Sequence, residues 1–179
     1  MPDERNGVAG RRAGQAAYFD RPPERLVLED YRHWTRGTVL RSTEPWTQAQ
    51  LLYRGLLGDE DGETAIVALA RFVTTLGRCA ICPPRVFNAG SCNICRDETL
   101  VMGLIAGIQN GDEPAIDLCL RKLCRRPLCD SAAMAAGTFA LTLKFLGQTM
   151  LPIPAHVVAR ILDRARRAGD GGASRRTIH

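Results

Sequence analysis

A chain of 179 residues has the size of one domain and is long enough to bury a real core. Its 45% hydrophobic and 24% charged residues are ordinary for a soluble globular protein. The net charge of +5 rests almost wholly on arginine, Lys122 and Lys144 being the only lysines, and it permits an anionic partner without demanding one. The start, Met1-Pro-Asp-Glu-Arg, lacks the apolar region of a signal peptide, and no apolar run is long enough to span a bilayer. The expectation is a cytoplasmic protein with no membrane partner. Seven cysteines, an odd number, point away from a disulfide framework and toward metal ligands or buried thiols.

Residues 1–22 are polar and glycine-dotted, which predicts a flexible arm ahead of a helical domain at 23–168. Val27, Tyr31 and Trp34 recur at helical spacing between Glu24 and Thr35. A clearer helix starts near Thr43 as N-cap and carries Trp46, Ala49, Leu52, Tyr53, Leu56 and Leu57 before Gly58. Asp59-Glu60-Asp61-Gly62 reads as an acidic turn. The next stripe, from Ala65 to Leu76, closes at Gly77.

Beyond Cys95, Asp97 and Glu98 suit the positive end of a helix that runs to Asn110-Gly111. Asp112 caps a further helix that Pro127 breaks. Asp130 caps a segment running to about Leu146 that is apolar almost all round, with Lys144 the only charge beyond the cap, a pattern that predicts a helix in the middle of a bundle. Pro152 and Pro154 introduce a last helix that Gly169 should stop, leaving a disordered basic tail at 169–179. No stretch alternates with a period of two for long enough to build a sheet. The fold class predicted is all-α, a single bundle of about six helices.

The stretch most telling of chemistry is Cys79-Ala-Ile-Cys82 followed, nine residues on, by Cys92-Asn-Ile-Cys95. A Cys-x-x-Cys turn points two sulfurs at one centre, and two such turns supply the four thiolates that Zn²⁺ prefers. Pro83-Pro84 stiffens the exit from the first pair, and Asn88-Ala-Gly90 supplies a turn before the second. Zinc held by Cys79, Cys82, Cys92 and Cys95 would staple one helix end to the next helix start. The same spacing also fits an iron–sulfur or thiol-redox site. Ile81 and Ile94 inside the pairs fit plain packed turns, hence a metal-free interaction module. Cys119 and Cys124 lie on an apolar stripe and need no ligand role; nothing marks Cys129.

The histidines, His33, His156 and His179, have no ligand or catalytic partner at short spacing. Asp97-Glu98 and Asp112-Glu113 sit where helices begin, so capping explains them more simply than acid–base work. Arg160, Arg164, Arg166 and Arg167, with Arg175-Arg176 beyond, form a basic surface that could meet nucleic acid through phosphate contacts, or simply be solvated. No catalytic signature or nucleotide loop is present. The chain reads as a non-enzymatic binding or regulatory protein, stabilised by zinc, whose partner is a protein or a nucleic acid.

Overall fold

Two prolines open the first helix. In the computed structural model, which describes residues 21–173, α1 runs from Pro22 to Leu40, its prolines in the turn where no intrahelical N–H is required. It extends beyond the 24–35 stretch at both ends, and its buried side carries Glu24, Asp30 and Arg32 beside Leu26, Val27 and Tyr31, charges that interrupt the apolar stripe. Most of the expected arm lies outside the described residues.

Helix α2, Glu44–Leu57, follows with Thr43 at the N-cap position. Trp46 lies over Gly37 of α1, where any Cβ would run into the indole. Its ring stacks on Trp34 at 5.7 Å, and its N–H donates to the Trp34 carbonyl at 3.2 Å.

The acidic stretch is no separate turn. Helix α3 spans Asp59–Cys79, so Asp59, Glu60 and Asp61 form its first turn, where carboxylates meet the exposed N–H ends. Gly62 stands inside the helix because a Cβ there would lie 3.1 Å from backbone atoms of Tyr53 and Arg54 in α2. The helix also continues past Gly77 to Cys79.

Helix α4 covers Arg96–Asn110 and ends at Gly111 in the left-handed region, φ 71°. Helix α5 covers Glu113–Leu123 and is capped as expected, Asp112 Oδ1 accepting from the Ala115 N–H at 3.0 Å. A short 3₁₀ turn, Arg126–Leu128, leads into α6, Cys129–Phe145. Helix α7 covers Ala155–Ala173 and passes through Gly169, which a helix interior tolerates at a cost of about 1 kcal/mol. Arg175 and Arg176 of the basic tail lie outside the described residues.

The all-α class holds, with seven α-helices and no strand among the described residues. α3 packs on α2 and α6; α4 packs on α5, α6 and α7; α1 lies on α2 and touches α3 and α4. The core gathers Leu69, Phe72 and Leu76 with Leu100, Leu104 and Phe139, the Phe72 and Phe139 rings stacked at 5.8 Å. One antiparallel bridge, Ala80 with Cys124, joins the end of α3 to the end of α5. Its bonds run from Ile81 N–H to the Leu123 carbonyl and from Arg125 N–H to the Cys79 carbonyl, both 2.9 Å.

Helix α6 departs from the buried central position predicted for it. Ala132, Ala136, Phe139, Ala140 and Leu143 are buried, but Met134, Leu141 and Phe145 are 75%, 55% and 90% exposed. An apolar residue on every face removes the contrast by which a buried face is read from sequence. No helix among the described residues is long and apolar enough to cross a membrane.

Candidate functional site

Residues 80–95 leave α3 and return to α4 without regular structure, and charge holds them in shape. Arg32 of α1 is wholly buried and spends every guanidinium N–H on this loop or on the carboxylates beside it. Its Nε donates to Glu98 Oε1 at 2.8 Å and its Nη2 to Glu98 Oε2 at 3.3 Å. Its Nη1 reaches Glu29 at 2.8 Å and the Ser91 carbonyl at 2.9 Å, while Nη2 also donates to the Asn93 carbonyl at 2.6 Å.

Glu98, also fully buried, accepts on the same two oxygens from the Phe87 N–H at 2.9 Å and the Cys95 N–H at 2.7 Å. Glu29 Oε2 takes the Gly90 N–H at 2.7 Å, and Asp97 Oδ2 takes the Arg85 N–H at 3.0 Å. A buried guanidinium and carboxylate are tolerable only when paired and fully hydrogen-bonded, and here they are.

Cys95 is the N-cap of α4. Its sulfur accepts from the Glu98 N–H at 3.5 Å and donates to the Arg85 carbonyl at 3.1 Å, completing a capping box with Glu98. Burial, with the Glu98 charge opposing ionisation as well, pushes this thiol up to about 11. Cys82 and Cys92 are exposed, whereas Cys79 points into the core.

Cys124 there neighbours Cys79 and Cys129. Burial first, then these two thiols, push Cys124 up to about 12, and burial does the same to Cys119. All seven cysteines are free. Among the described residues, no three His, Cys, Asp or Glu side chains form a set that could hold a metal ion. Cys82 lines a hollow of about 130 Å³ against α5, while Cys95 lines a larger groove on the other side of the loop.

That groove, about 570 Å³, lies between the last turns of α1 and residues 84–87. Arg36, Val39 and Leu40 line it from the helix, and Arg85, Val86 and Phe87 from the loop. Val39, Leu40 and Phe87 are 71%, 58% and 40% exposed. Arg36 donates to Asn88 across the loop's end.

Of the basic residues singled out, Arg160, Arg164 and Arg167 are exposed on α7 at spacings that share one face, with Asp163 exposed beside them. The Arg166 side chain lies outside the described residues. His33 is partly buried, and its pKa is lowered, first by burial. His156 is exposed on α7, and His179 lies outside the described residues.

Sequence reasoning missed Arg32, Glu29 and the groove, and gave Glu98 only a helix-start role. The spacing Cys95-x-x-Glu98 was the available signal, since a glutamate at that position can reach back to the cap. No known protein family matches the chain, nor does any curated protein or solved structure.

Proposed function

We propose that the chain is a non-enzymatic helical binding protein of regulatory or adaptor type, acting in the cytoplasm, whose working face is the groove between α1 and the cysteine loop. One observation carries this reading. The loop buries little of its own surface, yet a buried ion pair fixes it so that it presents Phe87 beside Val39 and Leu40. Contiguous exposed apolar groups on a rigid support are what a protein interface needs. A photo-crosslinking residue placed at Leu40 should form adducts in cells, and one at exposed Glu60 on α3 should not. Equal adducts at both positions, or none at Leu40, would remove the reading.

A second reading gives the loop a structural zinc ion held by the thiolates of Cys79, Cys82, Cys92 and Cys95. The paired spacing and the exposure of Cys82 and Cys92 support it. It requires Cys79 to turn out of the core, and the Cys95 sulfur to give up the Arg85 carbonyl. Brief labelling with a thiol reagent separates the two readings. Without metal the loop offers two fast thiols, the exposed Cys82 and Cys92, whereas a bound metal would shield all four and release them to a chelator. The same four thiols could hold an iron–sulfur cluster, which colour in anaerobically purified protein would reveal. The exposed arginines of α7 form a separate surface, suited to nucleic acid.

A further inference from the structure

The groove has the construction of a site for an extended peptide. Residues 83–87 alternate between exposed and half-buried, Pro84 and Val86 turned inward and Arg85 and Phe87 outward. Their backbone alternates as well. The N–H groups of Arg85 and Phe87 both point to the first turn of α4, where Asp97 and Glu98 accept them. Both patterns belong to a β-like segment with one edge spoken for. On the other edge, the Val86 N–H has no hydrogen-bond partner among the described residues. Helix α1 stands opposite, so the groove has a strand edge for one wall and a helix for the other.

Its chemistry selects the occupant. The lining holds two guanidinium groups, Arg36 and Arg85, and no carboxylate, and Arg85 forms no ion pair among the described residues. The apolar floor comes from Val39, Leu40 and Phe87. We infer that the groove takes an extended segment of another protein, paired by its backbone to residues 84–88, with alternate apolar side chains on the floor and carboxylates against Arg36 and Arg85. Strand addition of this kind draws affinity from main-chain bonds and specificity from the side-chain pockets.

The chain's own ends do not suit the site. Tyr18 and Phe19 stand within three residues of Arg21, ~10 Å of extended chain, whereas Thr35 is ~20 Å along α1 from its first residue. Residues 1–12 can span that distance and bring Asp3 and Glu4, but Arg5, Arg11 and Arg12 outnumber these carboxylates, and the two large apolar side chains, Met1 and Val8, stand seven residues apart instead of alternating. Ser174–His179 brings Arg175 and Arg176. Basic segments meet repulsion from Arg36 and Arg85.

This inference rests on the proposed binding face and is tested apart from it. A random peptide library displayed on phage is selected against the full-length protein. The expected winners carry at least two carboxylates among alternating apolar residues. Their synthetic forms should lose at least tenfold in affinity on Arg85→Glu, on Val39→Asp and on Val86→Pro, which removes the free N–H. The first two sites are exposed, so unchanged melting of those variants certifies the fold. Winners without acidic bias, affinities unmoved by the three substitutions, or no enrichment over the bare support each overturn the inference. Self-association lost on Arg85→Glu would make a second copy the occupant and overturn it too. Should crosslinking at Leu40 succeed while the selection fails, the binding face stands and the peptide assignment falls.

Discussion

Two irregular segments of the molecule are held in opposite ways. Residues 80–95 are fixed by charge, through Arg32, Glu98, Glu29 and Asp97. Residues 146–154, between α6 and α7, are fixed largely by neutral groups and by burial. Gln109 donates to the Ala140 and Gln148 carbonyls, both 3.0 Å, and accepts the Met150 N–H at 2.8 Å. Asn110 adds a bond to the Met150 carbonyl at 3.2 Å, and Glu24 takes the Leu151 N–H at 2.8 Å. Met150 is buried, and Leu146 and Ile153 pack on the core.

The linker thus contributes apolar area of its own. The cysteine loop contributes chiefly Ala80, Val86 and Ile94, and its shape depends on an ion pair whose desolvation offsets much of its attraction. A segment held at such cost while exposing its side chains is the place where we propose the binding face.

The largest test of the contrast is Arg32→Met, which strands Glu98 in the core and should cost about 3–5 kcal/mol in urea unfolding. Gln109→Leu should cost less, on the order of 1–3 kcal/mol, since it strands neutral backbone groups. The reverse order would show that the loop is the less dependent of the two on its clamp.

A smaller effect concerns Asp30, one residue from Glu29 of the clamp. It is fully buried, neither carboxyl oxygen has a hydrogen-bond partner among the described residues, and burial first, then the Glu29 charge, hold its pKa well above the ordinary carboxylate value. The sign follows. The protonated form favours the fold, so this stability is full below the unfolded-state value, near ~4, and is lost as pH rises toward the folded pKa. Asp30→Asn should therefore stabilise by about 1 kcal/mol at pH 7 and flatten the difference between pH 4 and pH 8. Parallel pH profiles for the two proteins would refute the assignment.

The smallest effect belongs to α7. Replacing Arg160, Arg164 and Arg167 with Gln should leave stability within about 0.5 kcal/mol. If nucleic acid is bound at all, only the salt dependence of its affinity should flatten.

Local signals in the sequence carry much of the fold and little of the site. Asp112 and Gly111 mark a helix start and stop because caps are chemistry between near neighbours. The same logic failed at Asp59–Asp61, where three carboxylates serve equally well in a turn or in a first helical turn. It failed on α6, whose exposed Phe145 is as apolar as its buried Phe139. The clamp was out of reach for a different reason. Arg32 and Glu98 are 66 residues apart, and nothing in either one's neighbourhood announces that both will be buried together. The cysteine spacing draws attention to the right loop. What organises that loop in the structure is a guanidinium from another helix.

The stacked pair of indoles between α1 and α2 has a spectroscopic consequence. Trp34 and Trp46 are the chain's only tryptophans, and they occupy one contact. Emission excited at the red edge of the protein band therefore watches a single corner of the molecule, whereas far-ultraviolet ellipticity averages over its helices as a whole. That corner adjoins the groove through Thr35 and Arg36, on the same turns of α1. A ligand entering the groove should change the emission without changing the ellipticity, giving a label-free titration signal from the unmodified chain.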